Sequence, residues 1–262
     1  MIISHKYQFL FIGLPFSASS AISKDLNLNY EGKPLLRKHS LYNDFISVAT
    51  KEEMEYFVFA VLRNPMEIAV TVYEKMRANA KGNFTNPDLF IENGGHITRK
   101  QRDVFKFINE KNATFQQYFK RFFKKPYDNL ASITIHNCDY VIRYENIGDD
   151  YLKALKKTGV KNPKPLPAAN QTVGKDRSFL DYYTEEIKDQ TISVFGPFFA
   201  KYNYSFPQNW GHIQPPLKSM LQFRILGFSR RLNHKYLKKR PKKISKAGSI
   251  YGDMQRKQLT DD

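Results

Sequence analysis

The chain has 262 residues, 41% of them hydrophobic, with 21 Phe and 16 Tyr. That length and composition suit one large α/β domain with a sizeable core, or else two small ones, and exclude disorder throughout. A net charge of +17 directs attention to anionic partners: nucleotides, sulfated or phosphorylated glycans, nucleic acid or an acidic membrane.

Residues 7–12 (YQFLFI) are aromatic and β-branched and read as a strand. The small-residue stretch GLPFSASSA follows at 13–21, then a helix starting near Ser20. Residues 56–62 (YFVFAVL) read as a second strand, apolar on both faces as in a helix-covered parallel sheet. Asn64 suits an N-cap and Pro65 the first helical position. Met66, Ala69, Val70, Tyr73 and Met76 then recur at helical spacing. Residues 101–125 form a second helical region, 132–146 one or two strands, and 149–158 a short helix closed by Gly159. Pro163, Pro165 and Pro167 mark a loop, and 177–202 is mostly helical. Strands alternating with helices predict parallel βαβ units. The expected fold is α/β, doubly wound, with a mainly parallel sheet flanked by helices.

Composition shifts after Pro215-Pro216. Residues 218–262 hold 13 Lys and Arg against 3 Asp, whereas the first 217 hold 29 against 22 acidic residues. The expected division is therefore an α/β domain over 1–216 and a basic extension over 217–262. Within the extension Leu217, Leu221, Ile225, Phe228, Leu232 and Tyr236 share one helical face. A basic run follows at 238–246, and the last residues are expected to be disordered. Three readings of the extension stand side by side: a solvated tail, an amphipathic basic helix on an anionic membrane, and a nucleic-acid contact. The chain lacks a helix-turn-helix, RNA-binding or zinc-finger signature, which counts against the third.

Cys138 is the single cysteine, so no internal disulfide forms, and no Cys/His cluster has zinc spacing. No metal is expected. The apolar run at 9–14 is too short for a membrane span and lacks the layout of a signal peptide. A cytoplasmic protein, in solution or peripheral to a membrane, is the expectation.

Two stretches carry candidate chemistry. In the loop containing Pro15, Phe16, Ser17, Ala18, Ser19, Ser20 and Ala21, small residues let backbone N–H groups approach a phosphate, and the following helix N-terminus favours its charge. The same composition also fits a plain loop, and the Gly-Lys-Ser/Thr ending of a Walker A motif is absent. Arg63 stands at the carboxyl end of a buried strand, where open α/β sheets bind ligands, and Thr71 lies two turns into the next helix. Together they suit one phosphate; alone, Arg63 equally suits a local carboxylate.

The order of these elements resembles the sulfotransferases that use 3′-phosphoadenosine-5′-phosphosulfate (PAPS), of the carbohydrate type, whose fold is related to nucleotide kinases. The resemblance covers residues 5–207. It rests on Pro15-Phe16-Ser17-Ala18-Ser19-Ser20-Ala21, Lys38-His39, Leu62-Arg63-Asn64-Pro65 with Thr71 and Tyr73, Arg143-Tyr144-Glu145-Asn146, Asn170-Gln171-Thr172 and Tyr182-Tyr183. It implies a P-loop-like three-layer sandwich, PAPS as co-substrate and a hydroxyl on a glycan or glycolipid as acceptor. The first loop would hold the 5′-phosphosulfate, and Arg63 and Thr71 the 3′-phosphate. His39 would serve as general base, and Lys38, Glu145 and Asn170 would act as substrate or supporting residues. Phe16 stands where the family has Lys. Either another lysine (Lys24, Lys33 or Lys38) reaches the loop, or the chain is a sulfotransferase-like binding protein with impaired or changed activity.

Overall fold

A computed structural model describes residues 1–167, 178–237 and 250–261. Its strands are β1 (Ile2–Ser4), β2 (Phe9–Ile12), β3 (Lys33–Pro34), β4 (Phe57–Leu62) and β5 (Tyr140–Arg143). The α-helices are α1 (Ser19–Asn29), α2 (Tyr42–Ile46), α3 (Pro65–Arg77), α4 (Arg99–Glu110), α5 (Phe115–Phe122), α6 (Ile147–Lys157), α7 (Lys188–Tyr202), α8 (Leu217–Leu232) and α9 (Ile250–Asp261). The chain divides into two compact units. One comprises Met1–Arg63, Asp128–Ala169 and Gly227–Asp262; the other comprises Asn64–Tyr127 and Asn170–Leu226.

The first unit holds a five-stranded sheet in the order β3-β1-β2-β4-β5. Strands β2, β4 and β5 pair in parallel, while β1 runs antiparallel to both β2 and β3. The α/β expectation holds, but the sheet is mixed rather than mainly parallel. The difference is β1. Its three residues are too short a run to carry a periodic signal, and a tight connection through left-handed Gln8 (φ 47°) turns the chain straight into β2. Residues 132–146 yield one strand only. The Asp128 carboxylate accepts from the Ser132 backbone N–H at 3.0 Å, a local bond that favours turns over a ladder, and 3₁₀ turns precede β5.

Period-2 alternation places apolar side chains on both faces of the sheet, as the two-sided strand at 56–62 requires. Phe9, Phe11, Phe59, Val61 and Ile142 pack with Ile22 and Leu26 of α1, Tyr151 of α6 and Tyr251 of α9. Leu10, Ile12, Val58 and Ala60 pack with Leu36 and with Phe45 of α2. Cys138 lies against this second cluster, and burial pushes its thiol up to about 12. Gly159, at φ 84°, follows α6 as its spacing predicts.

Expected disorder at the chain's end is corrected over Ile250–Asp261, which forms α9. Tyr251 is 1% exposed, and Gln255 Nε2 donates to the Leu36 carbonyl at 2.7 Å. One anchoring aromatic in a polar stretch gives no periodic signal, so the docking is invisible to pattern reading. The basic run at 238–246 lies outside the described residues.

In the second unit Asn64 caps α3, its side chain accepting from Met66 N–H at 2.9 Å, with Pro65 at the first position. The expected helix over 101–125 is two helices. Asn112 adopts φ 43°, and Thr114 with Gln117 forms a fresh capping box that starts α5. Residues 178–202 likewise enter through 3₁₀ turns before α7. Among the described residues no helix is long and apolar enough to cross a membrane.

Candidate functional site

Parallel pairing sets the site. Ile12 of β2 is in register with Ala60 of β4, and Leu62 of β4 with Arg143 of β5. The loop after Ile12, Arg63 after Leu62 and Tyr144 after Arg143 therefore emerge together at the carboxyl ends of three neighbouring strands. In open α/β sheets that is where ligands bind.

The loop's backbone is unusual. Phe16 (φ 62°) and Ala18 (φ 52°) are both left-handed, a conformation costing roughly 1–2 kcal/mol per non-Gly residue. Left-handed residues in a short loop are a feature of anion-binding nests, whose backbone N–H groups gather on one side. Ala18 is the N-cap of α1 and supplies no side-chain cap to its first turn. The opposite groups are held from outside: Arg63 Nη1 donates to the Phe16 carbonyl at 2.9 Å, and Asn129 Nδ2 to the Pro15 carbonyl at 2.8 Å. Gly13 allows the loop to close on the helix, because a Cβ there would lie 2.8 Å from Ser19 Cβ.

Arg63 is 6% exposed, and its guanidinium lies 4.1 Å from the centre of the Tyr144 ring. This cation–π contact and the Phe16 bond together fix its orientation. Ser17 is buried and donates to the Pro15 carbonyl at 3.3 Å; Ser19 is buried as well. The Phe16 side chain is 40% exposed. Lys38 reaches the loop: its Nζ donates to Ser20 Oγ at 2.5 Å, in the first turn of α1.

His39 Nδ1 lies 2.7 Å from the Gly13 carbonyl. A carbonyl only accepts, so Nδ1 carries the proton and Nε2 holds the lone pair. The residue is partly exposed, which moderates desolvation, yet burial and the Lys38 charge both act downward and lower its pKa to about 4. The unfolded value is near 6.5. Between those values the unfolded chain binds a proton that the folded chain does not. His39 therefore subtracts stability as pH falls from 6.5 towards 4, and adds no further loss below that. The melting temperature of His39→Gln is expected to fall less steeply than that of the wild type across this window. Parallel slopes would show a freely titrating imidazole.

The remaining expected residues are spread through the fold. Glu145 is exposed on the turn Tyr144–Asn146 that follows β5. Thr71 belongs to the second unit and is buried on α3. There Tyr73 Oη donates to the Ala113 carbonyl at 2.8 Å, Tyr182 Oη to Glu74 at 2.7 Å and Tyr183 Oη to the Met66 carbonyl at 2.9 Å. All three tyrosines thus serve packing. Asn170 lies outside the described residues. Asn129 was not legible beforehand, since nothing in its neighbourhood marks it as a partner of residue 15.

A cavity of about 420 Å³ in the first unit is lined by Tyr7, Tyr30, Val160, Lys161 and Lys164. Tyr7 precedes β2, so this cavity belongs to the opposite end of the strands from the loop. No protein-family model, curated protein or solved structure matches the chain.

Proposed function

We propose that the chain is a PAPS-dependent sulfotransferase acting on a saccharide hydroxyl. One observation carries the reading: a left-handed, uncapped loop at a strand-to-helix junction, gripped by Arg63 and approached by the Lys38 ammonium. On this reading the loop N–H groups bind the 5′-phosphosulfate. Arg63 binds the 3′-phosphate. The acceptor oxygen attacks sulfur, a new S–O bond forms, and the bond from sulfur to the bridging oxygen of the 5′-phosphate breaks. 3′,5′-Bisphosphoadenosine leaves. Lys38 offsets the charge growing on the bridging oxygen in place of the family's loop lysine. The acceptor proton passes to His39 Nε2, and a base with a pKa of about 4 stays unprotonated throughout the neutral range. The finer fold, a doubly wound P-loop-like three-layer sandwich, belongs to the same proposal.

A second reading, donor binding without turnover, is favoured by Phe16 at the loop and by the weak basicity of His39. Thermal unfolding with 3′,5′-bisphosphoadenosine tests what the two share. At about a hundredfold excess over its dissociation constant the ligand stabilises by ~2.7 kcal/mol, a shift of roughly 5–11 °C for a domain of this size. Arg63→Ala is expected to remove the ligand-induced shift, read against its own unliganded melt. No shift in the wild-type chain at millimolar ligand sinks both readings. Turnover of PAPS with any member of a glycan panel then separates them.

A further inference from the structure

The face that carries Leu217, Leu221, Ile225, Phe228, Leu232 and Tyr236 is turned to solvent. These six residues are 87, 60, 58, 57, 42 and 67% exposed. The helix is not loosely attached. In the second unit Ser219 and Phe223 of α8 are buried, and Ser219 Oγ donates to the Ser193 carbonyl. In the first unit Arg230 pairs with the buried Asp128 carboxylate at 3.0 Å. A rotation of about 100° per residue puts these anchors on the side opposite the apolar stripe. The helix is thus fixed to the protein by one face and presents six large apolar side chains on the other. Soluble surfaces scatter such residues singly, and a contiguous stripe marks a contact.

The charges beside the stripe decide what the contact is. Lys218, Arg224 and Lys235 are exposed and Arg231 is half-buried, at its margins. No Asp or Glu occurs in the sequence between Asp189 and Asp253. A second copy would set like-charged margins against each other, and an apolar protein groove would not use the cations. An anionic bilayer uses both: the stripe enters the boundary between headgroups and acyl chains, while long Lys and Arg side chains reach the phosphates. We propose that α8 docks this protein, lying in the interface plane, on a membrane surface rich in acidic lipid. The surface is separate from the loop at the β2–α1 junction and stands whether or not that loop binds PAPS.

Vesicle co-sedimentation of the full chain tests this. Binding to phosphatidylcholine vesicles containing about a quarter phosphatidylserine should be at least tenfold tighter than to phosphatidylcholine alone and should weaken with salt. Leu221→Glu with Phe228→Glu should weaken binding at least tenfold. The melting temperature should hold, because both side chains are already in water. A charge-only variant, Lys218→Gln with Arg224→Gln and Lys235→Gln, should lose the preference for acidic lipid. The proposal is overturned by equal binding to both vesicle types or by none. A dimer in light scattering that Leu221→Glu with Phe228→Glu dissociates would assign the stripe to a second copy instead. Binding to a short single-stranded RNA, but not to vesicles, would assign the cations to nucleic acid.

Discussion

If the chain turns over PAPS as proposed, Lys38→Gln is expected to lower that turnover by about 10²–10³-fold, the usual cost of removing one preorganised charge-stabilising donor. The expectation follows from position. On the proposed reading Phe16 stands where the sulfotransferases it resembles have Lys, and the Lys38 ammonium sits 2.5 Å from Ser20 Oγ at the same helix start. Negative charge on the bridging oxygen develops only in the transition state, so kcat should fall more than the apparent affinity for PAPS changes. Placing a lysine in the loop, by Phe16→Lys in the Lys38→Gln background, should recover part of the rate. The left-handed backbone at residue 16 costs either side chain about the same, so that substitution keeps the loop's conformation. Initial rates with PAPS and an accepted glycan read both effects. An unchanged rate for Lys38→Gln would remove Lys38 from the chemistry and leave the Ser20 bond as a packing contact.

Tyr251→Ala is expected to destabilise the first unit by about 3–5 kcal/mol, the range for emptying a buried aromatic site, lowering the melting temperature by roughly 6–20 °C. The ring packs in the cluster with Phe59 and Ile142. Its hydroxyl is surrounded by the carbonyls of Met1, Leu35 (2.8 Å) and Leu36 (3.2 Å), and with one proton it donates to one of them at a time. Tyr251→Phe keeps the volume and leaves a buried carbonyl without that donor, so a smaller loss of about 1–3 kcal/mol is expected. Chemical denaturation followed by circular dichroism separates the two variants. A melt of Tyr251→Ala equal to that of the wild type would mean that α9 contributes nothing to the fold.

Local chemistry announced much of the fold. Aromatic and β-branched runs marked β2 and β4, Asn64-Pro65 marked the start of α3, and Gly159 marked the end of α6. Each signal depends on a few adjacent residues: a cap donor, a fixed φ, a side chain needing two apolar faces. The apolar stripe of α8 was also legible, because helical periodicity alone puts those six residues on one face. The sequence by itself therefore determined the α/β class, the strand-loop-helix at residues 9–29 and the amphipathic character of residues 217–236. Long-range pairing decided the rest. The antiparallel β1 that makes the sheet mixed is held by ladder bonds to strands that a three-residue run does not reveal. The anchoring of α9 depends on Tyr251 and Gln255 finding carbonyls more than two hundred positions away. The stripe's exposure, the approach of Lys38 and Asn129 to the loop, and the depression of the His39 pKa are likewise properties of neighbours, set by which groups the folded chain brings within a few ångströms, and only the tertiary structure holds that information.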